Sequence, residues 1–447
     1  MGSSLGCDAA GDRLPATICA LPWVNLSLDV DGSSRPCCKF AHLDADSPYQ
    51  MANLRDEGLP GVWNSDAMQR LRRDFRSGVA PAECRTCWDE EAAGVASWRQ
   101  TFLADRNLTV DIDFDDPMPG QPVALDLKLS NTCNLRCRIC GPVASSSWLA
   151  EELAARGPDA DPYLVENRAY FKAAKLVGGS SEPGALERWA PGIQHIEMTG
   201  GEPMLSLENR RLVALIVDEG RPEDVTLHVT TNATVIDDDL VARFPRFRHV
   251  EVVLSIDDIG ERLTYQRAPA DWDTVRETIT RWAELPGVGG LGVNCSVSIF
   301  NVWDLAEVLD WFTEHHPGLE VHLNLVHNPP HLSVRALPAP VVPAVVARLR
   351  RYGDDLAKPV DLRLQMAELA TFMEQGEGGA SLWGDAVAEI RHRDQVRGES
   401  FAVVAPSFCA ELDRLGVGLD ATVDRGVSGA AGVLVRLRRR AAAGLRR

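Results

Sequence analysis

From Val123 onward, strand-like and helix-like segments alternate along the chain, and this order constrains the fold more than any other feature of the sequence. Parallel strands joined by crossover helices are the usual structure for such an order. The sequence therefore predicts an α/β domain over residues 123–335. Its six strand-like runs are VALDLKLS, HIEMTG, VTLHVTTN, HVEVVLSID, GVNCSVSIF and EVHLNLVHN.

The two faces of these strands differ in polarity. In HVEVVLSID, the side chains of Val250, Val252 and Leu254 share one face, whereas Ser255 and Asp257 lie on the other. A doubly wound sheet is buried on both faces, so its strands are nearly continuous apolar runs. Strands with one polar face fit a barrel with a polar interior better. We therefore expect a partial (β/α)6 barrel, similar to a TIM barrel, with something polar bound in its lumen.

Composition excludes several classes of protein. The chain has 447 residues, of which 45% are hydrophobic and 25% charged, as in globular proteins with a sizeable core. No apolar run approaches the ~20 residues that a membrane helix needs, and the N-terminus has no secretory signal pattern. A formal net charge of -18 disfavours an extended nucleic-acid surface. We expect a cytoplasmic protein without a membrane partner.

The segments outside the predicted barrel have their own compositions. Residues 1–14 are interpreted as a leader, and residues 15–106 contain the first group of cysteines. The acidic stretch 107–122 contains Pro and Gly and is interpreted as a linker. Residues 336–447 are expected to be helix-rich and to end in a basic tail, which is either a solvated terminus or a contact for an anionic partner.

A short loop with three cysteines follows the first predicted strand. Cys133, Cys137 and Cys140 have the spacing C-x3-C-x2-C. Active sites of barrel folds gather at the carboxyl ends of the strands. Three thiolates can hold three irons of a cubane cluster and leave the fourth iron without a protein ligand. The alternative is a zinc site completed by a fourth ligand from elsewhere in the chain.

The motif Gly200-Gly201-Glu202-Pro203 follows the second predicted strand. Together with the cysteine spacing and the polar lumen, it makes the chain resemble the radical S-adenosylmethionine (SAM) enzymes. The resemblance implies a [4Fe–4S] cluster whose open iron is chelated by SAM. It further implies reductive cleavage to a 5′-deoxyadenosyl radical, hydrogen abstraction from substrate, and an electron donor such as flavodoxin or ferredoxin.

The same resemblance assigns further residues to SAM. The motif as a whole is a cofactor-binding segment, and Glu202 is expected to contact the methionyl amino group. Ser255 and Asp257 are expected to reach the ribose, although they are also suited to capping the end of a strand. Asn232 and Arg267 occupy positions at which members of the family often contact the cofactor.

A second group of cysteines lies near the N-terminus. Asp31-Gly32 predicts a hairpin turn, and a C-x2-C knuckle follows later in the segment. Four thiols from a hairpin and a knuckle can close either a zinc site or a fully ligated [4Fe–4S] cluster, and the chemistry alone leaves both open. The four cysteines are Cys19, Cys37, Cys84 and Cys87.

The surroundings of these cysteines resemble the auxiliary-cluster modules of the SPASM/twitch kind. The resemblance to twitch-domain radical SAM proteins extends over about residues 17–426, with the module before the barrel instead of after it. It implies that the four cysteines hold a second [4Fe–4S] cluster. Cys38, directly after Cys37, is an alternative ligand.

The resemblance also bears on the substrate. Enzymes with auxiliary-cluster modules often modify ribosomally synthesised peptides, so epimerisation or crosslinking of a peptide is the leading hypothesis. The alternatives are a sugar, nucleoside or other small metabolite of natural-product biosynthesis, and a non-catalytic iron–sulfur or redox-sensing protein. Cys409, beyond the barrel, is interpreted either as a hydrogen-atom donor to the product or as a small buried hydrophobe.

Overall fold

The computed structural model describes most of the chain. The predicted basic tail, and all of the predicted leader except its last two residues, lie outside the described residues. Within the described ranges, no helix is both long and apolar enough to cross a membrane. The structure describes residues 13–41, 47–92, 96–106, 108, 110–166, 185–375 and 380–419.

An eight-stranded sheet organises the described part of the chain. Its strands are β1 (Asn25–Leu28), β2 (Ser34–Arg35), β3 (Ala124–Leu127), β4 (His195–Met198), β5 (Thr226–Thr231), β6 (His249–Ser255), β7 (Gly290–Val297) and β8 (Glu320–Leu325). The strand order is β2-β1-β3-β4-β5-β6-β7-β8. All six predicted strands are present, as β3 to β8.

Strands β3 to β8 are parallel and follow one another in sequence order, which is the topology of the predicted partial (β/α)6 barrel. This confirms the predicted fold class. The helices that accompany these strands are Ser146–Arg156, Pro162–Glu166, Ala185–Trp189, Leu207–Glu219, Asp238–Val241, Gly260–Gln266, Trp272–Glu284 and Leu305–His315.

The two faces of the sheet have the polarity that the sequence predicts. On β6, Val250, Val252 and Leu254 are fully buried in the main hydrophobic core. Ser255 is half-buried on the opposite face, which forms the lumen. Cys295 on β7 points away from the lumen and is buried in the same core. The pleat of the strands thus separates an apolar outer face from a polar inner one.

The N-terminal module continues the sheet of the barrel. Strands β1 and β2 form the predicted antiparallel hairpin, and Gly32 adopts a φ of 75° in its turn, a conformation that glycine adopts readily. Strand β1 pairs in parallel with β3, so the predicted linker divides the sequence but not the sheet. The helices of the module are Leu21–Val24, Leu54–Trp63, Asp66–Arg76, Arg85–Ala92 and Trp98–Asp105.

The C-terminal region is helical, as predicted. Phe401 and Leu412 from this region are buried in the same core as the outer face of the barrel, so the region packs on the barrel. Its helices are Val342–Asp354, Val360–Glu374, Ala380–Arg397, Phe401–Val404 and Pro406–Arg414.

Candidate active site

The three-cysteine loop follows β3 and is anchored to its neighbours through its backbone. The indole N–H of Trp148 donates to the carbonyl of Cys137 at 2.9 Å. On the other side, the N–H of Arg138 donates to the carbonyl of Gln266 at 2.7 Å. The loop is therefore positioned by the elements on both sides of it.

The three thiols of this loop influence one another. A hydrogen bond with the Cys140 thiol lowers the pKa of Cys137, and the nearby Arg267 guanidinium lowers it further against the effect of burial. Burial raises the pKa of Cys133 to about 11. The residue Cys140 is itself exposed on one side. The loop thus presents three adjacent thiols with one side accessible to a ligand.

The glycine motif packs directly on the cysteine loop. The N–H of Gly201 donates to the carbonyl of Ser130 at 2.9 Å, and that of Glu202 donates to the carbonyl of Thr132 at 2.7 Å. A Cβ atom at Gly201 would lie only 2.3 Å from the Thr132 carbonyl oxygen. Gly200 has a φ of 110°, which other residues rarely adopt. Glycine is therefore needed at both positions for the two motifs to meet.

The Glu202 carboxylate is buried beneath this contact, with 1% of the residue exposed. Its Oε1 accepts hydrogen bonds from the Thr231 hydroxyl at 2.7 Å and from the Met204 N–H at 3.0 Å. Its Oε2 accepts one from the Asn232 N–H at 2.7 Å. Burial raises its pKa. A carboxylate oxygen accepts two hydrogen bonds, so Oε2 can take a further donor from a ligand. Pro203 completes the motif and is buried next to it.

Asn232 joins the third barrel strand to the cysteine loop. Its side-chain N–H donates to the Asn134 side chain at 2.9 Å and lies 3.9 Å from the Cys133 sulfur. The side-chain amide oxygen of Asn232 accepts a hydrogen bond from the Thr234 hydroxyl at 2.6 Å. Asn134, Thr231 and Thr234 were not singled out by the sequence analysis, because no motif marks them.

Asp257 and Arg267 form a buried ion pair with a distance of 2.8 Å between Oδ2 and Nε. Each was predicted independently as a residue that contacts the cofactor. The other carboxylate oxygen of Asp257 accepts the N–H of Ser296 at 2.9 Å. Both oxygens of Asp257 are therefore engaged by protein donors. Ser255, two residues earlier, lies half-buried on the lumen face. The contacts of Ser255 and Asp257 with the ribose, and that of Arg267 with the cofactor, remain predictions.

The buried Arg138 lies between two of the cysteines and was not predicted as a functional residue. Its guanidinium donates to Asp394 and to Glu399, both at 2.6 Å, and lies 3.6 Å from the centre of the Tyr265 ring. Asp394 belongs to the helix Ala380–Arg397, so this arginine ties the cysteine loop to the C-terminal region. The partners lie more than 250 residues away in sequence. The one available signal was a basic residue inside a thiolate loop.

The structure brings the four predicted cysteines of the N-terminal module together. Burial raises the pKa of the Cys19 thiol to about 12, and the nearby Cys87 adds to the increase. The pKa of Cys37 is raised by burial and by the neighbouring thiols, which include the other three predicted ligands. The four residues are Cys19, Cys37, Cys84 and Cys87.

Cys38 lies next to this group and also close to the wall of the barrel. The residue as a whole is exposed, but its thiol group is surrounded by protein. This burial, together with the carboxylates of Asp126 and Glu197, raises the pKa of the thiol to about 11. Both carboxylates belong to the lumen wall on β3 and β4. Two neighbouring residues of the module thus face different surroundings, Cys37 towards the other thiols and Cys38 towards the lumen.

The spacing of the sulfurs bears on the choice between zinc and iron–sulfur clusters. Across the described ranges, no three cysteine sulfurs lie within 4.8 Å of one another. A zinc ion with Zn–S bonds of about 2.3 Å requires sulfurs roughly 3.8 Å apart. In a cubane cluster each thiolate bonds a different iron, so the sulfurs lie farther apart. In the described residues, neither group of cysteines is thus arranged as tightly as a single zinc ion would require, and a cubane cluster at each group is compatible with this spacing.

Cys409 lies in the helix Pro406–Arg414 with 7% of the residue exposed, and it belongs to the main hydrophobic core. Burial raises the pKa of its thiol to about 11. This position favours the structural interpretation of Cys409. Its role as a hydrogen-atom donor stays a prediction.

Two family profiles match the chain. Residues 127–311 match the Radical SAM superfamily. The chain therefore contains a radical SAM domain over these residues. Residues 19–88 match SPASM, an iron–sulfur cluster-binding domain, which confirms that the auxiliary module of this radical SAM protein precedes the barrel.

Curated relatives match over part of the chain. The GTP 3′,8-cyclase of Syntrophomonas wolfei subsp. wolfei is 28% identical over 162 residues, which are 36% of this chain and 42% of that protein. The GTP 3′,8-cyclase of Corynebacterium glutamicum is 33% identical over 121 residues, or 26% of each chain. The match therefore spans less than half the length of these relatives.

Solved structures of radical SAM proteins are also similar to this chain. The structure of anSMEcpe with bound AdoMet and the Cp18Cys peptide has a TM-score of 0.35 and 17% identity, covering 52% of this chain and 60% of that one. The structure of Streptococcus suis SuiB bound to precursor peptide SuiA has a TM-score of 0.31 and 15% identity, covering 72% and 60%.

Proposed function

We propose that this radical SAM protein reductively cleaves SAM and abstracts hydrogen from a ribosomally synthesised peptide, which is then epimerised or crosslinked. The proposal rests on one observation, which is that the auxiliary module is built onto the wall of the barrel lumen. Strand β1 of the module pairs with β3, and Cys38 faces the lumen carboxylates of Asp126 and Glu197. A substrate in the lumen would lie between the two groups of cysteines.

The residues around the three-cysteine loop have distinct roles in this proposal. A cluster held by Cys133, Cys137 and Cys140 supplies, when bound, the electron for SAM cleavage and an open iron for SAM. The free lone pair on Glu202 Oε2 would accept a hydrogen bond from an N–H of the methionyl amino group. Asn232 positions the first cysteine. The buried pair of Asp257 and Arg267 supports the second.

The charges of the lumen wall favour a peptide over a nucleoside triphosphate. Lys128 and Arg35 both form ion pairs with Asp29, and Arg106 pairs with Glu197 at 3.0 Å. A triphosphate requires basic side chains that are free to pair with its oxygens. Basic groups already paired with carboxylates suit a substrate of mixed polarity, such as a peptide backbone with polar side chains.

The proposal is tested by measuring release of 5′-deoxyadenosine from protein reconstituted anaerobically and reduced with dithionite. The substrates are the peptides encoded next to this gene, GTP, and a panel of sugars and nucleosides. We expect release to be stimulated by a peptide whose mass and stereochemistry change, and to vanish in Cys137→Ala. Release that is stimulated by a small metabolite alone would contradict the peptide hypothesis.

The similarity to GTP 3′,8-cyclases supports a second candidate, a nucleotide or other small-metabolite substrate. Turnover of GTP in the same assay would favour it. Absence of 5′-deoxyadenosine with every substrate, from protein with its full iron content, would instead favour a non-catalytic iron–sulfur protein.

A further inference from the structure

A second group of metal-ligating side chains lies in the lumen, far from the three-cysteine loop. His195 and Glu197 are two residues apart on β4, and His228 on β5 is the direct neighbour of Glu197 in the strand register. Side chains two apart on a strand share a face, so the three side chains lie together on the lumen face. His195 lies five positions before Gly200, about 17 Å of extended strand, which separates this group from the glycine motif.

The two imidazoles are buried without partners. His195 is 1% exposed, and within the described ranges neither of its ring nitrogens has a hydrogen-bond partner. The same holds for the ring nitrogens of His228, whose side chain is 12% exposed. Leaving a buried polar group unpaired is costly, so two unpaired imidazoles on the same face point to a ligand that both could bind. Burial lowers the pKa of His228 to about 4, which keeps the imidazole in the neutral form that binds metals.

The carboxylate of Glu197 completes a set of three converging donors. One nitrogen of each histidine and one oxygen of Glu197 lie within 4.8 Å of one another, with 3.9 Å between His228 Nδ1 and Glu197 Oε1. Arg106 donates to Oε2 at 3.0 Å, which leaves Oε1 facing the histidines. Outer partners of this kind orient ligating carboxylates. Tetrahedral zinc needs donors about 3.3 Å apart, a gap that small ring rotations close.

We propose that His195, Glu197 and His228 bind a divalent transition-metal ion, for which zinc is the best match. Two imidazoles and one carboxylate form an open three-ligand site. The carboxylates of Asp126 and Glu251 lie in the same row of the sheet as Glu197 and His228. They offset the positive charges of Arg106 and Arg248, which lie near the histidines. The remaining coordination position faces the lumen, where an oxygen of the substrate would occupy it. This last role rests on the proposed function, whereas the metal site does not.

The test uses protein that carries both iron–sulfur clusters. It is equilibrated with Zn²⁺ under anaerobic conditions, dialysed, and analysed for zinc and iron. We expect about one zinc per chain at unchanged iron content, with X-ray absorption showing nitrogen and oxygen ligands at about 2.0–2.1 Å and no sulfur at 2.3 Å. His195→Gln and His228→Gln should each reduce bound zinc at least about tenfold. The exposed His315→Gln is the matched control and should leave it unchanged.

Three outcomes would overturn the metal site: no zinc retained by cluster-loaded wild type, zinc with sulfur ligands, or unchanged zinc in both lumen variants. The X-ray absorption spectrum of the wild-type protein identifies the zinc ligands even where a variant folds poorly. Protein that holds zinc through nitrogen and oxygen but releases no 5′-deoxyadenosine with any substrate would refute the proposed function and leave the metal site standing.

Discussion

The two groups of cysteines are attached to the same sheet, but their surroundings differ. The N-terminal module supplies four thiols, and burial raises the pKa of Cys19, Cys37 and Cys84. The three-cysteine loop is open on one side, and its Cys137 has a lowered pKa because it accepts a hydrogen bond from Cys140 and lies near Arg267.

This difference is the one expected if the two groups of cysteines hold two kinds of metal site. Four protein ligands close a site and favour a supporting role, whereas three leave a position for a reactant. The glycine motif and Glu202 lie at the open site, against the cysteine loop. The closed site instead has Cys38 beside it, facing the lumen. The contrast predicts that cleavage of SAM depends on the three-cysteine loop. The four cysteines of the N-terminal module are predicted to support the side of the lumen where the substrate binds.

Loss of a ligand from each group gives the largest expected effect. Cys137→Ala should abolish release of 5′-deoxyadenosine because the open site cannot form. Cys19→Ala should lower the iron content from about eight to about four per chain and still allow release with dithionite. Iron analysis and product chromatography measure both. If both variants lost 5′-deoxyadenosine release to the same extent, the two groups of cysteines would not have the different roles predicted here.

Removing the tie to the C-terminal region should destabilise the fold and the open site. Arg138→Met leaves Asp394 and Glu399 without their buried cation, which costs about 3–5 kcal/mol in free energy of unfolding. The matched control is Arg350→Met, which breaks an exposed pair with Glu374 and should cost at most about 1 kcal/mol. Denaturant unfolding measures both. Similar losses in the two variants would show that Arg138 has no special role.

Glu202→Gln tests the SAM contact. The substitution replaces the charged oxygen that is expected to accept a hydrogen bond from the methionyl amino group. A hydrogen bond to a charged group contributes about 1.5–3 kcal/mol. We therefore expect SAM to bind about tenfold to a hundredfold more weakly, measured by equilibrium binding to the cluster-loaded protein. The iron content of both groups should not change. Unaltered SAM affinity would remove Glu202 from the site.

The packing of the glycine motif on the cysteine loop is tested by Gly201→Ala. The added methyl would meet the Thr132 carbonyl, and overpacking of this kind costs about 1–3 kcal/mol. Gly141→Ala is the control on the same loop, because a Cβ there meets nothing within 4 Å. Thermal unfolding of cluster-loaded protein compares them. A stable Gly201→Ala variant with normal SAM binding would show that the two motifs need not touch.

The smallest effect is expected for Cys409, which belongs to neither group. In its structural role, Cys409→Ala should lower the free energy of unfolding by about 1 kcal/mol and leave 5′-deoxyadenosine release and the product unchanged. In its role as hydrogen-atom donor, cofactor cleavage would continue but the stereochemistry of the product would change. Mass spectrometry and chiral amino-acid analysis of the product distinguish the two roles.

Much of the fold follows from local patterns. The position of Val250, Val252 and Leu254 on one face, opposite Ser255 and Asp257, predicted the inner and outer faces of β6, because the pleat imposes a period of two. The C-x3-C-x2-C spacing located the open site, because a loop this short keeps its thiols together. Asp31-Gly32 placed the hairpin turn for the same local reason.

Contacts between distant segments could not be predicted in this way. Pairing of β1 with β3 joins residues about 100 positions apart, and Arg138 reaches Asp394 across 256. No local pattern distinguishes His195 and His228 from ordinary strand residues, and only the register places His228 beside Glu197 and diagonal to His195.

The sequence by itself determined the order of strands, their two faces and the grouping of the cysteines, since these depend on periodicity and spacing within a few residues. Only the tertiary structure decided that the N-terminal module extends the barrel sheet, that an arginine ties the cysteine loop to the C-terminal helices, and that three lumen side chains converge. Such contacts depend on which surfaces the chain buries against one another, and no local pattern encodes that choice.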